Sequence, residues 1–146
     1  RISLVAGAVF AYPKKHCLII DIGTCITYDF VSRNSSYLGG SISPGFSMRY
    51  NSINANTSKL PRLKITIPKK ITGDSTEASI HSGIFYGIIG EIENQIHFYK
   101  EKYKDLTIIL TGGDSQYLAN RIKNGIFASH NFISRGLFSI LKLNNS

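Results

Sequence analysis

The stretch from Cys17 to Phe30, with the sequence CLIIDIGTCITYDF, constrains the fold more than any other part of this chain. Two runs of apolar, thiol and β-branched residues flank a Gly-Thr pair, which is the pattern of a tight β-hairpin. Gly23 can adopt the positive φ that such a turn often requires, and its missing side chain lets a ligand approach the backbone closely. We therefore predict strands over Cys17–Ile22 and Cys25–Val31, joined by this turn.

The polar residues of this hairpin admit two interpretations. The Thr24 hydroxyl and the N–H groups of the turn together suit a phosphate, and Asp21 is placed to hold a cation near it, because hard cations take oxygen ligands. The same residues are equally consistent with a plain hairpin whose aspartate and threonine satisfy their own turn. The residues of the hairpin alone leave both interpretations open.

The composition is that of one folded domain. The chain has 146 residues, of which 42% are hydrophobic and 18% charged, so it can bury one sizeable core. No run of about 18 apolar residues occurs, so we expect no membrane span. The chain opens on Arg1, which favours a processed or truncated polypeptide.

The two cysteines, Cys17 and Cys25, have no metal-ligating partners at a usual spacing. They flank the turn on strands, where thiols commonly pack as small hydrophobic groups. We interpret them as reduced core residues of a cytoplasmic protein.

The formal net charge of +8 indicates an affinity for polyanions or a well-solvated basic surface. The basic residues are concentrated in two stretches, Lys59, Arg62, Lys64, Lys69 and Lys70, and then Lys100, Lys102 and Lys104. Few aromatic residues are interleaved with them, so we favour the solvated surface over nucleic-acid binding.

Hydrophobic periodicity and turn residues predict the remaining elements. These are a buried helix over Ile2–Tyr12, a third antiparallel strand over Tyr37–Ser43, a helix over Phe46–Asn54, an edge strand over Ile65–Ile67, a strand over Leu106–Leu110, a helix over Tyr117–Lys123 and a last helix over Arg135–Leu143. The Gly39-Gly40 pair inside the third strand indicates a bulge or a close approach by a ligand or another backbone, or else ordinary turn chemistry.

The longest helical pattern opens after Gly73. Asp74 is placed to cap this helix, with Glu77 three residues further on as in a capping box. A helix N-terminus also binds anions and polar substrates, so Thr76 is a candidate binding residue there.

Three glycines, Gly83, Gly87 and Gly90, form a strip along the same helix. Each costs about 1 kcal/mol relative to alanine in a helix interior, so we expect another helix or a partner subunit to approach closely. His81 and His97 have no carboxylate or cysteine companions at ligand spacing, so we do not expect either to bind a metal.

A second glycine pair follows the predicted strand Leu106–Leu110, in the sequence Thr111-Gly112-Gly113-Asp114. A strand, a glycine pair and a helix form the layout in which a nucleotide commonly binds at the carboxyl end of the strand. This motif is short and carries little specificity by itself.

Taken together, the motifs DIGTCITYD, GGSISPG, NTSKLP, GDSTEASIHSGI, ILTGGD and FISRGL, in this order, resemble those of the type III pantothenate kinases. The resemblance covers nearly the whole chain and implies an α/β fold of the ribonuclease H-like (actin-like ATPase) class. In that fold an antiparallel three-strand meander is extended by further strands and flanked by helices. Residues 1–146 correspond to the C-terminal half of such a kinase, and the N-terminal half is absent from this chain.

The resemblance also implies roles for particular residues. Asp21 matches the aspartate that binds a monovalent cation, K⁺ or NH₄⁺, and Cys25 stands where the family usually has alanine. Gly23, Thr24, Thr111, Gly112 and Gly113 match ATP-binding positions, and Arg1 and Thr76 match pantothenate-binding positions. The catalytic base is expected on an aspartate just before Arg1, so this chain contains no catalytic residue and is expected to be inactive alone.

The activity implied is ATP-dependent phosphorylation of pantothenate to 4'-phosphopantothenate, the first step of coenzyme A biosynthesis, with Mg²⁺ and a homodimeric enzyme. Two alternatives remain. One is a non-enzymatic transcriptional accessory regulator, favoured by the basic stretch 59–70. The other is a sugar or acetate kinase of the same superfamily, which would share the hairpin but not the segment around Thr76.

Overall fold

The computed structural model describes residues 1–122, 125–128 and 132–144. Its elements are helix α1 (Ile2–Ala11), strands β1 (His16–Ile22), β2 (Cys25–Val31) and β3 (Tyr37–Pro44), helices α2 (Phe46–Ala55) and α3 (Thr76–Lys102), strand β4 (Leu106–Thr111), a 3₁₀ turn (Ser115–Leu118), strand β5 (Ile126–Phe127) and helix α4 (Phe132–Asn144). In the described part of the chain, no helix has both the length and the apolar character needed to cross a membrane.

The five strands form one sheet in the order β3-β2-β1-β4-β5. The first three strands form an antiparallel meander, and β4 and β5 extend it in parallel with β1. This order and these directions confirm the predicted ribonuclease H-like sheet. The hairpin at its centre is confirmed as well, with the pairing running from Cys17 opposite Val31 to Ile22 opposite Ile26.

Both faces of the sheet are covered by helices. Successive side chains of β1 point to opposite faces, so this strand contributes to the hydrophobic cluster on each side. Leu18, Ile20 and Ile22 join the hydrophobic cluster formed with α2 and α3. Cys17 and Ile19 join a second cluster formed with α1 and α4. The molecule therefore has three layers, and β1 lies in the middle of them.

The predicted apolar stripe of α3 is confirmed. Its isoleucines recur every fourth residue, so they share one face of the helix, and this face is buried against the sheet. They are Ile80, Ile84, Ile88, Ile92 and Ile96.

The predicted start of α3 was wrong by one residue. Ser75 is the N-cap, and its side chain accepts a hydrogen bond from the Ala78 N–H. Asp74 instead forms an exposed salt bridge of 2.8 Å with Lys70. Glu77 therefore lies at the second helical position, where it interacts with the helix dipole but does not complete a capping box.

The bulge predicted at the Gly39-Gly40 pair is confirmed. The register of β2 and β3 shifts between Phe30 and Val31, and Gly39 has a φ of +100°. A Cβ on Gly40 would overlap the Tyr28 carbonyl, so this position also requires a close approach of two backbones.

Two predicted elements were wrong. Residues Ile65–Ile67 form no strand, since the segment pairs with no other strand. Most of the helix predicted over Tyr117–Lys123 is replaced by the 3₁₀ turn and following turns, and Lys123 lies outside the described residues. Strand β5 was not predicted, because two residues are too few to show a period of two.

Candidate functional site

The carboxyl ends of β1 and β4 bring two of the sequence motifs together. Asp21 pairs with Thr111 in the parallel register, so the aspartate and the second glycine motif lie at the same edge of the sheet. Gly112 has a φ of +96°, and a Cβ there would overlap the Ile22 carbonyl and lie 2.5 Å from Asp21 Oδ1. Only glycine fits this position without strain.

Asp21 is half-buried in this corner, and burial raises the pKa of its carboxyl group. The nearby Asp29 carboxylate adds to this increase. No hydrogen bond or salt bridge from any described residue reaches the Asp21 carboxylate. A half-buried carboxylate without a protein partner is costly to keep charged, and a bound cation would offset that cost.

The turn between β1 and β2 lies beside Asp21. The Gly23 N–H donates to the Cys25 carbonyl at 3.1 Å. The expected positive φ at Gly23 was wrong, since the described glycines with positive φ are Gly39 and Gly112. A Cβ on Gly23 would meet no atom within 4 Å, so the outer side of the turn is open to a ligand.

The N-terminus of α2 packs directly on this turn. Gly45, its N-cap, donates its N–H to the Thr24 carbonyl at 2.9 Å, and a Cβ there would overlap the Gly23 carbonyl. The Asp114 N–H donates to the Ile22 carbonyl at 3.0 Å and fixes the second glycine motif against β1. The turn is therefore held rigidly from two sides, while its outer face stays free.

Arg1 lies on the face of the sheet that α1 covers, which is also the face of Asp21, and it is bound to Asp29. Its Nε and Nη2 atoms lie 2.9 and 2.6 Å from Asp29 Oδ1, and the Tyr37 hydroxyl donates to the same oxygen at 2.6 Å. Burial of the Asp29 carboxyl would raise its pKa, but the hydrogen bonds from Arg1 and Tyr37 outweigh this effect and lower it. Arg1 thus anchors the start of α1 to β2.

Replacing Asp29 by alanine is expected to lower the free energy of unfolding by about 1–3 kcal/mol, because it removes charged hydrogen bonds to a fully buried carboxylate. The lowered pKa means that the contribution of Asp29 is complete above the ordinary carboxyl pKa and is lost as the pH falls through the folded-state value. Urea denaturation of the wild type and of the variant at a series of acidic pH values measures this contribution of Asp29 to the free energy of unfolding. An exposed control, Asp74→Ala, should change little, and equal stability of the two variants at neutral pH would contradict the prediction.

A cavity of about 900 Å³ lies between α2 and α3, on the other face of the sheet. Among the described residues, its wall is mostly apolar, with hydroxyl groups from Ser52, Thr57, Thr76 and Ser79 and one charged side chain, Arg49. An apolar pocket with a few polar groups is the usual form of a small-molecule site. Thr76 therefore lies where a ligand with an apolar body can reach it.

The predicted site residues lie at three places in the fold. Asp21, Gly23, Thr24 and the 111–113 motif lie together at the carboxyl ends of β1 and β4. Arg1 and Thr76 lie on opposite faces of the sheet, since Arg1 begins α1 and Thr76 begins α3. One chain therefore does not bring the two predicted pantothenate-binding residues together.

Sequence reasoning missed a polar cluster centred on Glu91. The Tyr28 hydroxyl donates to Glu91 Oε1 at 2.7 Å, and Ser43 and Arg49 also donate to this carboxylate. The partners are 42 to 63 residues away along the chain, on three other elements. The only local signal was a carboxylate next to the buried Ile92.

The glycine strip of α3 is not covered by any described part of the chain at two of its three positions. A Cβ on Gly83 or Gly90 would meet nothing within 4 Å, and one on Gly87 would meet only Arg49 Nη1, at 3.8 Å. The expected second helix is therefore not supplied from within the described chain, and contact with a partner subunit stays a prediction.

The histidines of α3 have other partners. Tyr50 shares a hydrogen bond of 2.7 Å with His81. The expectation that His97 has no carboxylate companion was wrong, since Glu101, four residues further on, lies 3.4 Å from it. No group of three or more metal-ligating side chains occurs among the described residues.

The two cysteines differ from each other. Both are free, and Cys17 is buried, as predicted. Cys25 is only half-buried and contacts Met48 Sδ at 3.7 Å, so its assignment to the core was wrong.

Comparison with known proteins identifies relatives of the whole chain. A family model described as type III pantothenate kinase matches residues 1–97. Proteins of that name from Christiangramia forsetii and Porphyromonas gingivalis are 52% and 41% identical, over 100% and 99% of this chain. The chain spans about 60% of the length of each.

A solved structure resembles the chain as well. It is described as a conserved putative Baf family transcriptional activator from Campylobacter jejuni. The two are 27% identical, with a TM-score of 0.67, over 95% of this chain and 62% of the other.

Proposed function

Since this chain belongs to the type III pantothenate kinase family, we propose that it forms the C-terminal half of an enzyme that transfers the γ-phosphoryl group of ATP to pantothenate. The product is 4'-phosphopantothenate, the first intermediate on the route to coenzyme A. The observation that supports this most directly is the half-buried Asp21 carboxylate, which has no described protein partner and lies beside an open turn and a glycine motif.

The phosphate groups of ATP bind at the turn and the second glycine motif. Gly23 leaves the turn open, Thr24 donates its hydroxyl, and the residues 111–113 approach the nucleotide from β4. Asp21 anchors K⁺ or NH₄⁺, and the donor set fits, since an unpaired carboxylate beside a turn offers oxygen ligands. Mg²⁺ needs few protein ligands because phosphates and water complete its shell. Bound cations neutralise the charge that spreads over the transferred phosphoryl group.

The base that accepts the hydroxyl proton of pantothenate lies on the polypeptide preceding Arg1. Arg1 immediately precedes α1 and is bound to Asp29, on the face of the sheet that Asp21 shares, so a preceding residue would emerge on that face. A base within hydrogen-bond reach of the acceptor hydroxyl is what this reaction requires.

The active enzyme is a homodimer in the cytoplasm. Arg1 and Thr76 lie on opposite faces of the sheet, so one pantothenate contacts both only when they come from two copies of the chain. The uncovered Gly83 and Gly90 leave room on α3 for close contact with a second copy. The free thiols of Cys17 and Cys25 suit a reducing compartment.

A phosphorylation assay tests this function. The intact gene product is expected to consume ATP only when pantothenate is present, with K⁺ or NH₄⁺ raising the rate, whereas the 146-residue chain alone shows no turnover. Absence of pantothenate-dependent turnover in the intact gene product would refute the proposal. Nucleic-acid affinity that falls steeply with salt, without pantothenate binding, would favour a transcriptional regulator.

Replacing Thr76 by alanine separates pantothenate from other acceptors. We expect pantothenate affinity to fall about 10-fold, because one hydrogen bond in the cavity is lost, while ATP binding persists. Titration calorimetry with each ligand measures both, and Thr66→Ala, an exposed change outside the cavity, is the matched control. Unchanged pantothenate binding in the Thr76 variant would contradict the role of Thr76, whereas a wild type that binds ATP but not pantothenate would favour a sugar or acetate kinase.

A further inference from the structure

The connection between α2 and α3 is long for a segment without secondary structure. It runs from the end of α2 at Ala55 to the start of α3 at Thr76. Connections longer than about 12–15 residues with no helix or strand of their own are uncommon, and the ordered ones often serve as lids or binding loops. Resting on the function proposed above, we propose that residues 57–74, the strap, form a lid that closes over the acceptor substrate in the cavity between α2 and α3.

The strap is not held in place by its backbone. None of its residues forms a backbone–backbone hydrogen bond with a described residue, and none pairs with a described strand. Pro68 is the one residue of the strap that is buried. A segment with few backbone hydrogen bonds and little buried apolar surface opens locally at a low free-energy cost, without unfolding of the rest of the domain.

Both ends of the strap are fixed to the flanking helices. The Thr57 hydroxyl donates to the Ile53 carbonyl at 2.6 Å, so the strap leaves α2 at a defined point. Gly73 packs directly on the first turn of α3, where an added Cβ would lie 2.3 Å from the Ser79 nitrogen. The part of the strap between these two ends is therefore the part that can move.

Side chains of the helices attach this moving part near each end. The Asn54 side-chain amide of α2 donates to the Leu60 carbonyl at 2.8 Å, and the Ser82 hydroxyl of α3 donates to the Ile71 carbonyl. One hydrogen bond between uncharged groups shifts an equilibrium by about 2- to 12-fold. Such attachments define a closed position of the strap and still allow it to open.

Cavities beneath the strap give it room to move. Thr57 and Leu60 line the cavity of about 900 Å³ between α2 and α3. Residues 62–65 line a second cavity, of about 650 Å³, and residues 66–70 line a third, of about 520 Å³. Side chains that border a void have no packing partners on that side. The strap is therefore loosely packed along most of its length.

Leu60 is the residue through which the strap closes on a ligand. It is half-buried at the edge of the core and contributes apolar surface to the cavity wall. In the closed position it covers an apolar ligand and excludes water from it, and in the open position the ligand can enter and leave. Closure of a loop over bound substrate is a common way to keep water from a transferring group.

Closure by the strap is compatible with a second copy of the chain at the same cavity. The proposed function brings Arg1 of a second copy to the substrate, and the uncovered glycines of α3 leave room for that copy. Gly83, one of these glycines, lines the cavity from α3, whereas Leu60 lines it from the strap. The second copy and the strap therefore approach the ligand from different elements and enclose it together.

Hydrogen exchange of the intact gene product, followed by mass spectrometry of its peptides, tests the lid. Without ligand, the amides of the strap are expected to exchange much faster than those of α3. Saturating pantothenate should slow exchange in the strap at least about 10-fold, because the ligand binds the closed position. Strand β1 lies in the middle of the fold, so its slow exchange should stay the same in both states.

Two matched asparagine variants separate the lid from a purely structural loop. Asn54→Ala removes the attachment at Leu60, so exchange in the unliganded strap should rise about 2- to 12-fold and the KM for pantothenate should rise by a similar factor. We expect no fall in kcat, since the reacting groups are untouched. Asn56→Ala removes a side-chain hydrogen bond of 2.9 Å to the Ser52 carbonyl within α2, and should change neither quantity.

The outcomes distinguish failure of the lid from failure of the kinase function. Equal exchange of the strap with and without bound pantothenate would overturn the lid and leave the kinase function standing. A folded Asn54→Ala protein with unchanged exchange and unchanged KM would also overturn the lid. An intact gene product that neither binds nor phosphorylates pantothenate would overturn both proposals.

Discussion

Asp21→Asn in the intact gene product is expected to lower kcat/KM for pantothenate phosphorylation by about 100-fold or more, the scale on which a preorganised charge at a transferring group is measured. The amide has the same shape but not the charge, so it holds a cation poorly. Activation by K⁺ should disappear together with the rate. Steady-state assays with and without K⁺ measure both effects.

The free energy of unfolding of Asp21→Asn is expected to increase, although the activity of this variant falls. Burial raises the pKa of the Asp21 carboxyl, so the folded protein disfavours its charged form, and removal of the charge relieves that cost. Sites of this kind commonly sacrifice stability for function. The wild-type K⁺ response should likewise weaken on acidification at a pH above the ordinary range of an aspartate.

The control for Asp21 is Asp74→Asn, which removes a carboxylate that is exposed and already paired with Lys70. This variant should keep wild-type activity and K⁺ response. An Asp21→Asn protein with full activity and an unchanged K⁺ response would contradict the assignment of the cation site.

Gly112→Ala is expected to destabilise the folded protein strongly through a single added methyl group. The residue has a φ of +96°, and the added Cβ would overlap the Ile22 carbonyl and press on Asp21. Backbone strain and overpacking each cost about 1–3 kcal/mol, so we expect a loss of about 2–6 kcal/mol in the free energy of unfolding. Nucleotide affinity should fall as well, because the strain displaces the aspartate.

The neighbouring glycine supplies a matched control for that change. A Cβ on Gly113 would meet nothing within 4 Å, so Gly113→Ala should be nearly as stable as the wild type. Chemical denaturation followed by circular dichroism compares the two variants. Equal stabilities would show that the second glycine motif is not packed against β1 as described.

Much of the fold was predictable because its signals are local. The hairpin alternates with a period of two around a short turn, and α3 repeats isoleucine every fourth residue, so each pattern is complete within its own element. The start of α3 was misjudged because Asp74 and Ser75 are both good N-caps, and only the backbone conformation decides between them. Strand β5 was not predicted because two residues are too few to show an alternating pattern.

The candidate site likewise has a part that local sequence indicates and a part that only tertiary contacts define. The sequence by itself determined which residues are the candidates for the proposed chemistry, namely Asp21, Thr24 and the glycine motif, since these types and spacings lie within single turns. Tertiary structure alone decided what surrounds them. Pairing of β1 with β4 brought Asp21 against Gly112, and the packing of four elements joined Glu91 to Arg49. The three-layer fold placed Arg1 and Thr76 on opposite faces, because contacts between distant segments depend on packing that no local pattern encodes.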